Sequence, residues 1–185
     1  IEALAPNTLM INAARGGVLD ERALLSRIHS RSDIYTAIDC WEGEPNISSA
    51  LLQEVTYGSP HIAGHTAEAR LRATLSVSES LANFLGNDRK PVIDLSQNLK
   101  RNISLVENIK DGSISDVLSL VHDLGGLKNT LLEGVDQAAT LKPEVFDNIR
   151  GATELRREFR AHRIRTDDFS NSTVEELKAL GFSFD

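Results

Sequence analysis

Three short stretches near the start of the chain carry the side chains best suited to chemistry. They are NAARGG at residues 12–17, DCWEGEP at 39–45 and PHIAGH at 60–65. Each stretch supplies one reactive group: the guanidinium of Arg15, the carboxylate of Glu44 and the imidazole of His61. A guanidinium binds a carboxylate through two parallel hydrogen bonds, and an imidazole accepts and returns a proton near neutral pH. The combination is typical of a site that binds a small acid and moves a proton.

Each of these residues also has an ordinary structural interpretation. Arg15 can form a surface ion pair with Asp20 or Glu21, and the sequence favours neither interpretation over the other. A single histidine such as His61 is more often a buried ring that bonds to the backbone. A contact between Glu44 and His61 would favour the chemical role, because a carboxylate beside an imidazole holds one tautomer in place.

Several neighbours of these residues carry open alternatives. Asp39 ends an apolar run, so it is either a cap for the following loop or a ligand for a polar group of a cofactor. Trp41 either shelters the site or belongs to the core. His65 follows Gly64 and is a candidate for the same cleft. No pair of residues has the spacing of metal ligands, and no metal site is expected.

Apolar runs precede all three stretches and predict β-strands at residues 8–12, 34–38 and 55–57. The first two read as strands buried on both faces, because alternation is lost there. Helices are predicted after Asp20, which is placed as an N-cap, and over residues 48–54. This order gives parallel strands with helical crossovers, and such sheets bind ligands at the carboxyl ends of their strands.

The second half of the chain has weaker patterns. A long helix from Thr66 is apolar on more than one side, which predicts that it lies between other elements, with Glu68 paired to Arg72. Residues 86–91 read as a linker. Further helices are predicted at residues 113–124, 127–135 and 154–161, at a segment that begins with Pro143, and at a last segment that begins with a capping box at 172–175. Gly125 and Gly126 are predicted to end the first of these helices. A strand is predicted at 163–166.

Other charged and titratable residues are assigned to the surface. His29, His122 and His162 fall on helical segments and are expected to be exposed. The basic residues between 156 and 165 are expected to form a solvated face or a subunit interface. The residues concerned are Arg156, Arg157, Arg160, Arg163 and Arg165.

Composition limits the function classes. The 185 residues are 41% hydrophobic with a net charge of −7, which argues against a nucleic-acid or anionic-membrane partner. Cys40 is the single cysteine, so a reducing compartment such as the cytoplasm is expected. No apolar run reaches the ~20 residues of a membrane span. The chain opens without methionine, which suggests a truncated product.

Together, the three stretches resemble the D-isomer-specific 2-hydroxyacid dehydrogenases in their order and spacing. The resemblance implies an α/β fold: the C-terminal part of a Rossmann-type doubly wound parallel sheet, plus a small α+β dimerisation domain. It also implies the domain bounds. Residues 1–60 would hold the last strands of the NAD-binding domain, 61–90 the histidine loop and a long returning helix, and 91–185 the dimerisation domain.

The same resemblance implies roles for individual residues. Arg15 would hold the substrate carboxylate, His61 would be the acid/base, and Glu44 would support His61. The resemblance also implies which residues contact NAD, namely Ala13, Ala14, Arg15, Asp39 and Gly64. The residues that it implies in contact with the substrate are Arg15 and His65.

The implied partners are NAD, a phosphorylated sugar-acid substrate and a second copy of the chain bound through residues 91–185. One alternative is a family member that acts on glycerate or phosphoglycerate. Another is a non-catalytic dimerisation or NAD-sensing module. Since the family's glycine-rich pyrophosphate loop is not found in these 185 residues, the chain by itself is expected to bind NAD poorly and to be inactive.

Overall fold

The computed structural model describes residues 1–87, 104–106, 113–135, 141–152, 156–165 and 169–184. The chain forms two compact units. The first comprises Ile1–Ala63 and Asp123–Thr153, and the second comprises Gly64–His122 and Glu154–Asp185. The predicted domain of residues 91–185 is therefore divided between both units. No helix within the described residues is long and apolar enough to cross a membrane.

The first unit is built on a three-stranded parallel sheet in the order β1-β2-β3. Its elements are β1 (Leu9–Asn12), α1 (Glu21–Ser30), β2 (Tyr35–Ile38), α2 (Ser49–Glu54) and β3 (Tyr57–Gly58). Asn12 pairs with Ile38 and Ile38 pairs with Gly58, so all three strands end at the same level. The predicted parallel α/β arrangement is confirmed, and its loops leave from one edge.

Side-chain caps fix where the two crossover helices begin. The Asp20 carboxylate accepts a hydrogen bond from the backbone N–H of Ala23, and the Ser48 hydroxyl accepts one from that of Leu51. Such bonds satisfy backbone donors that the first turn of a helix leaves without a partner. Both helix starts predicted from the sequence are therefore confirmed.

The prediction that β1 is buried on both faces is wrong for the structure described here. Leu9 is 57% exposed and Ile11 63% exposed, whereas Asn12 is buried. Alternate residues of a strand point to opposite faces. The face of β1 that carries Leu9 and Ile11 is therefore open, whereas Asn12 on the other face is covered. An apolar run cannot by itself reveal how many faces its neighbours cover.

Two later helices complete the core of the first unit. They are α5 (Leu124–Glu133) and α6 (Pro143–Ala152), which contribute Leu131 and Phe146 to the same core as Trp41. Lys128 on α5 donates hydrogen bonds to the carbonyls of Gln53 and Val55, where α2 ends. Cations are stabilised at the C-terminal end of a helix, so this contact attaches α5 to α2.

Two glycines do not end a helix as the sequence predicted. Gly125 and Gly126 lie in the first turn of α5, and the N–H of Gly126 donates to the carboxylate of Asp123, the N-cap. The preceding helix, α4 (Ile114–Val121), has already ended. The two glycines that predicted the end of one helix therefore lie at the start of the next helix.

The second unit has its own parallel sheet in the order β4-β5-β6. Its elements are α3 (Ala67–Phe84), β4 (Ser104–Val106), α4, a short 3-10 helix at Phe159–Ala161, β5 (His162–Ile164), α7 (Asn171–Ala179) and β6 (Ser183–Phe184). Val117, Ile164, Leu177 and Phe182 form its buried core. The last helix is capped by Ser170 rather than by the predicted Ser172.

The long helix α3 is present as predicted, but it is not enclosed by other described elements. Val77 is 70% exposed and Phe84 87% exposed, and Glu68 and Ala82 are the buried residues of α3. The apolar residues of α3 scatter around its axis, and that pattern suggested burial on several sides. The predicted linker at 86–91 lies mostly outside the described residues.

The basic segment at 154–161 does not form the predicted helix; its described part contains only the 3-10 turn. Glu68 accounts for the difference, because it accepts hydrogen bonds from Arg157 Nε at 2.5 Å and from the backbone N–H of Glu158 at 3.2 Å. Arg72 pairs with Glu158. The predicted pair within α3 is thus replaced by two pairs to a distant segment.

The prediction of surface positions is wrong for His122 and His162, both of which are half-buried. Burial, together with the positive charges of Arg156 and His162, lowers the pKa of His122 to about 4. Burial also lowers the pKa of His162. Several residues of the basic run are half-buried as well, namely Arg156, Arg157 and Arg163.

Replacing Leu131 by alanine tests whether α5 is part of the first unit. Leu131 is fully buried in the core that contains Trp41, the only tryptophan of the chain. We expect Leu131→Ala to lower the free energy of unfolding by about 2–5 kcal/mol, because it leaves a cavity. Urea unfolding followed by Trp41 fluorescence measures this loss. Leu120→Ala is the control, since Leu120 is 59% exposed on α4; equal losses in both variants would contradict the assignment.

The pKa of His122 predicts a pH dependence of stability. Its value falls from 6.5 to about 4 in the folded state, so the unfolded chain binds more protons between these pH values. Stability therefore rises with pH across this interval, by at most about 1.4 kcal/mol per pH unit from this group. We expect His122→Gln to flatten the rise, measured by urea unfolding with circular dichroism. Identical pH slopes in both proteins would refute the prediction.

Candidate active site

The site lies where the chain leaves the three aligned strands of the first unit, and Asn12 joins two of these exits. Its side chain is buried and donates hydrogen bonds to the carbonyls of Cys40 at 2.9 Å and Arg15 at 3.1 Å. Its amide oxygen accepts one from the N–H of Ala14. The loop after β1 is thereby fixed against the loop after β2.

Gly16 allows a close approach between the same two loops. A Cβ atom at this position would lie 2.0 Å from the carbonyl oxygen of Trp41, a separation that no side chain tolerates. Glycine is therefore required here by space. The turn that carries Arg15 consequently packs directly on the backbone of the 39–45 loop.

Trp41 belongs to the core, which decides between its two sequence interpretations. It is 2% exposed, and its indole N–H donates to the carbonyl of Ser59 at 2.9 Å. Buried tryptophans generally find such a partner for the ring nitrogen. The bond attaches the loop after β3 to the loop after β2.

Asp39 caps the loop after β3, whereas the sequence predicted a cap for the loop that directly follows Asp39 or a ligand for a cofactor group. One carboxylate oxygen accepts hydrogen bonds from the Ser59 hydroxyl at 2.6 Å and the Ile62 N–H at 2.8 Å. The other accepts one from the N–H of Ala63 at 2.9 Å. A buried carboxylate is tolerated when it is bonded in this way. Asp39 therefore sets the path of residues 59–63.

His61 has a backbone conformation that is uncommon for residues with a side chain. Its φ is +53°, in the left-handed region. Its N–H donates to the carbonyl of Asp39 at 2.8 Å, and its carbonyl accepts from Arg150 Nε at 3.1 Å. Left-handed conformations cost non-glycine residues roughly 1–2 kcal/mol and persist where surrounding contacts hold them. These contacts aim the imidazole ring toward the 39–45 loop.

Glu44 and His61 form the hydrogen bond that the sequence analysis identified as the deciding contact. His61 Nδ1 lies 2.6 Å from one carboxylate oxygen of Glu44, and the other oxygen accepts from the N–H of Trp41 at 2.6 Å. Because an ionised carboxylate only accepts hydrogen bonds, Nδ1 carries the proton in this pair. The other ring nitrogen, Nε2, is then the one that can accept a proton.

Arg15 is exposed at the start of the turn after β1. Its Nη1 donates to the carbonyl of Ala14 at 2.6 Å, and its charge acts on the thiol of Cys40. The surface ion pair with Asp20 or Glu21 is not formed, because Asp20 caps α1 and Glu21 bonds to the backbone of Glu42. The turn that begins at Arg15 packs, through Gly16, on the loop that carries Glu44.

Glu21 is a positioning residue that the sequence analysis missed. It is buried, and its carboxylate accepts a hydrogen bond from the N–H of Glu42 at 2.6 Å. Burial raises its pKa. Asn12 was also missed as a positioning residue, although it ends a strand in the same way as Asp39. An acidic residue in the first turn of a helix is ordinary, so no sequence signal distinguished Glu21.

Cys40 lies next to the pair but is not reactive. It is 1% exposed, and burial raises the pKa of its thiol to about 11, with further effects from the charges of Asp39 and Glu44. Potential ligand atoms of Cys40, Glu44 and His61 lie within 4.8 Å of one another. The 2.6 Å between Glu44 and His61 is a hydrogen-bond distance, shorter than two ligands around one zinc ion allow.

The remaining predicted contacts are divided between the two units. Ala13 and Ala14 are exposed on the loop after β1. Gly64, with φ of +71°, and His65 belong to the second unit, where Gly64 is exposed and His65 is half-buried. In the first unit, the structure therefore gathers Arg15, Asp39, Glu44 and His61 around the ends of β1, β2 and β3.

Comparison with known proteins identifies related sequences. Residues 1–63 match the family described as "D-isomer specific 2-hydroxyacid dehydrogenase, NAD binding domain". Erythronate-4-phosphate dehydrogenase from Serratia proteamaculans is 33% identical over 98% of this chain. The enzymes of that name from Citrobacter koseri and Escherichia coli O127:H6 are 33% and 32% identical, each over 99% of the chain.

These relatives are longer than the chain. The matches cover 48%, 47% and 47% of their lengths, so the chain spans about half of each. The family match includes Arg15, Glu44 and His61. Residues 1–63 are thus similar to the NAD-binding domain of the D-isomer specific 2-hydroxyacid dehydrogenases, and nearly the whole chain is similar to erythronate-4-phosphate dehydrogenases.

Proposed function

We propose that the protein oxidises a 2-hydroxy acid with NAD as the hydride acceptor, and that its substrate is erythronate 4-phosphate. The observation that carries the proposal is the 2.6 Å hydrogen bond between Glu44 and His61 at the carboxyl ends of parallel strands. The substrate is proposed because the relatives bear the name of that reaction.

His61 acts as the general base in this proposal. Nδ1 is occupied by Glu44, so Nε2 accepts the proton of the substrate hydroxyl. The ring becomes positively charged as it does so, and the carboxylate of Glu44 stabilises that charge. Glu44 also accepts a hydrogen bond from the backbone of Trp41, which fixes its orientation. A positioned base of this kind contributes about 10²–10⁴ to a rate.

Arg15 binds the substrate carboxylate through its planar fork. Its side chain is exposed, so it is accessible to a small acid. Two parallel hydrogen bonds fix both the position and the orientation of a carboxylate. Arg15 thereby sets which face of C2 is presented to the base.

The loop after β1 offers an opening for the cofactor. Ala13 and Ala14 are exposed and carry only methyl side chains, which leaves their backbone accessible to a flat ring. We propose that these residues and Arg15 line the nicotinamide side, with Gly64 also in contact with NAD and His65 in contact with the substrate. Asp39 supports the same region by holding residues 59–63. NAD, when bound, supplies the acceptor for the hydride that leaves C2.

The proposal extends to three features supported by resemblance. They are a role in vitamin B6 biosynthesis, a cytoplasmic location and self-association through residues 91–185. An oxidation of glycerate or phosphoglycerate is the competing substrate assignment. NADH formation by the full-length protein with each acid separates the two: a higher kcat/KM for glycerate or phosphoglycerate would reject erythronate 4-phosphate.

Replacing Glu44 by glutamine tests whether its carboxylate supports His61 as the general base. Glutamine keeps the size of the side chain but has one acceptor oxygen, so it cannot accept from both the Trp41 N–H and His61 Nδ1, and it cannot balance a positively charged imidazole. We expect Glu44→Gln to lower kcat roughly 10- to 100-fold with little change in KM, because the interaction strengthens only as the proton moves. Steady-state NADH formation by the full-length protein measures both constants.

Glu42→Gln is the matched control for this variant. Glu42 is an exposed acid in the same loop, two residues away, and its side chain is outside the proposed machinery. Its activity should stay near that of the unaltered protein. Equal losses in both variants would show that the loop needs negative charge in general, and the assignment of Glu44 would fail.

Replacing Arg15 by lysine tests whether the planar guanidinium group binds the substrate carboxylate. Lysine keeps the charge and loses the paired, planar donors. We expect Arg15→Lys to lower kcat/KM about 10-fold or more, equivalent to about 1.4 kcal/mol of transition-state stabilisation. Arg22→Lys, at an exposed position on α1, is the control. Unchanged kinetics in Arg15→Lys would remove Arg15 from substrate binding.

A further inference from the structure

A cavity of about 710 Å³ lies entirely within the second unit. Its walls come from the N-terminal part of α3, from His122 after α4, from residues 156–160 and from the end of α7. Gly64, which is proposed to contact NAD, also lines it, whereas Arg15, Glu44 and His61 do not. The cavity therefore calls for its own explanation.

Positive charge predominates on the walls of this cavity. Among the described residues, three guanidinium groups line it, those of Arg72, Arg156 and Arg160, together with one carboxylate, that of Glu158. These four groups carry a net charge of +2, although the whole chain carries −7. A concentration of one sign of charge inside a concave surface attracts ligands of the opposite sign.

The single carboxylate does not neutralise the arginines. Glu158 pairs with both Nη atoms of Arg72 and, at 3.0 Å, with Nε of Arg160. These arginines hold the pKa of Glu158 below its ordinary value, so the group is ionised near neutral pH. One negative charge thus faces two positive ones, and an excess positive charge remains.

The third arginine lies beside a neutral partner. Arg156 Nε is 3.5 Å from Nδ1 of His122. With a pKa of about 4, the His122 ring carries no charge near neutral pH. The contact helps to orient Arg156.

The N-terminal end of α3 adds to the positive electrostatic potential in the cavity. Thr66 and Ala69 line the cavity, and the Thr66 hydroxyl caps the helix by accepting from the N–H of Ala69. The helix has 18 residues, and the N-terminal end of its dipole is positive. Glu68, in the first turn, does not line the cavity and instead pairs with Arg157. Helix N-termini and guanidinium groups together are the usual components of phosphate sites.

We propose that this cavity binds a small dianion of the phosphate class, either inorganic phosphate or a phosphomonoester. Guanidinium forks match the oxygens of a phosphate group in pairs. The side chains of Arg72 and Arg160 are 44% and 71% exposed, so both can reorient toward an incoming ligand. Because these groups are open to solvent, the binding is expected to weaken as ionic strength rises.

The experiment is isothermal titration calorimetry on the chain with four separate ligands. They are inorganic phosphate, glycerol 2-phosphate as a plain phosphomonoester, succinate as a dicarboxylate and chloride. We expect one saturable site for phosphate, for the phosphomonoester or for both, and the tighter of the two identifies the source. Succinate and chloride are expected to bind at least about 10-fold more weakly.

Charge-matched variants locate the site. We expect Arg160→Gln and Arg72→Gln each to weaken phosphate binding roughly 10-fold. Arg70→Gln is the control, because it removes the same charge from an exposed position on α3 that does not line the cavity. Circular dichroism verifies the fold of each variant. Arg160 is the more exposed residue, so its variant keeps the test valid if Arg72→Gln does not fold.

Several results would overturn the proposal. They are the absence of saturable phosphate binding, equal affinity for succinate, and an equal loss of affinity in Arg70→Gln, which would indicate a general charge effect. A nuclear magnetic resonance signal of the His122 ring that stays fixed during the phosphate titration would also overturn it, since that ring lines the cavity. These readouts measure binding and not turnover, so their outcome is independent of the proposed dehydrogenase activity.

Discussion

The buried carboxylate of Asp39 is the constraint on which the first unit's site depends. It follows β2 and receives hydrogen bonds from Ser59, Ile62 and Ala63, so the end of one strand dictates the path taken after the next. His61 lies inside that bonded segment. Its left-handed backbone is held by the carbonyl of Asp39 on one side and by Arg150 on the other. Positive φ is uncommon for residues other than glycine, and these contacts hold His61 in it.

The rest of the site follows from three strands that end at one level. Buried side chains join their exit loops: Asn12 connects the first to the second, and Trp41 connects the second to the third. Glu44 is then fixed from two directions, by the backbone of Trp41 and by the ring of His61. Side chains held by such bonds need little reorganisation when charge develops, which is the condition for efficient acid–base chemistry.

The second unit uses charge in a different way. Glu68 is buried and draws residues 157 and 158 against the start of α3. Glu68 pairs with Arg157, and Glu158 pairs with Arg160 and with Arg72 on α3. The result is a concave, positively charged surface in an acidic protein. The sequence predicted that the arginines of the basic run form a solvated face or a subunit interface, and in the structure one buried glutamate helps to position their segment.

The sequence alone determined the parallel α/β fold and the two crossover helices with their caps. It also predicted Arg15, Glu44 and His61 as site residues, and the structure shows a hydrogen bond between Glu44 and His61. Strand periodicity and N-cap chemistry are local, so a single chain segment is enough to reveal them. Tertiary structure decided the rest. The exposure of β1, the inclusion of α5 and α6 in the first unit, the burial of His122 and the pairing of Glu68 with Arg157 all depend on residues far apart in the chain. Burial and ion pairing are properties of neighbours in space, and a local pattern does not specify which neighbours a segment will meet.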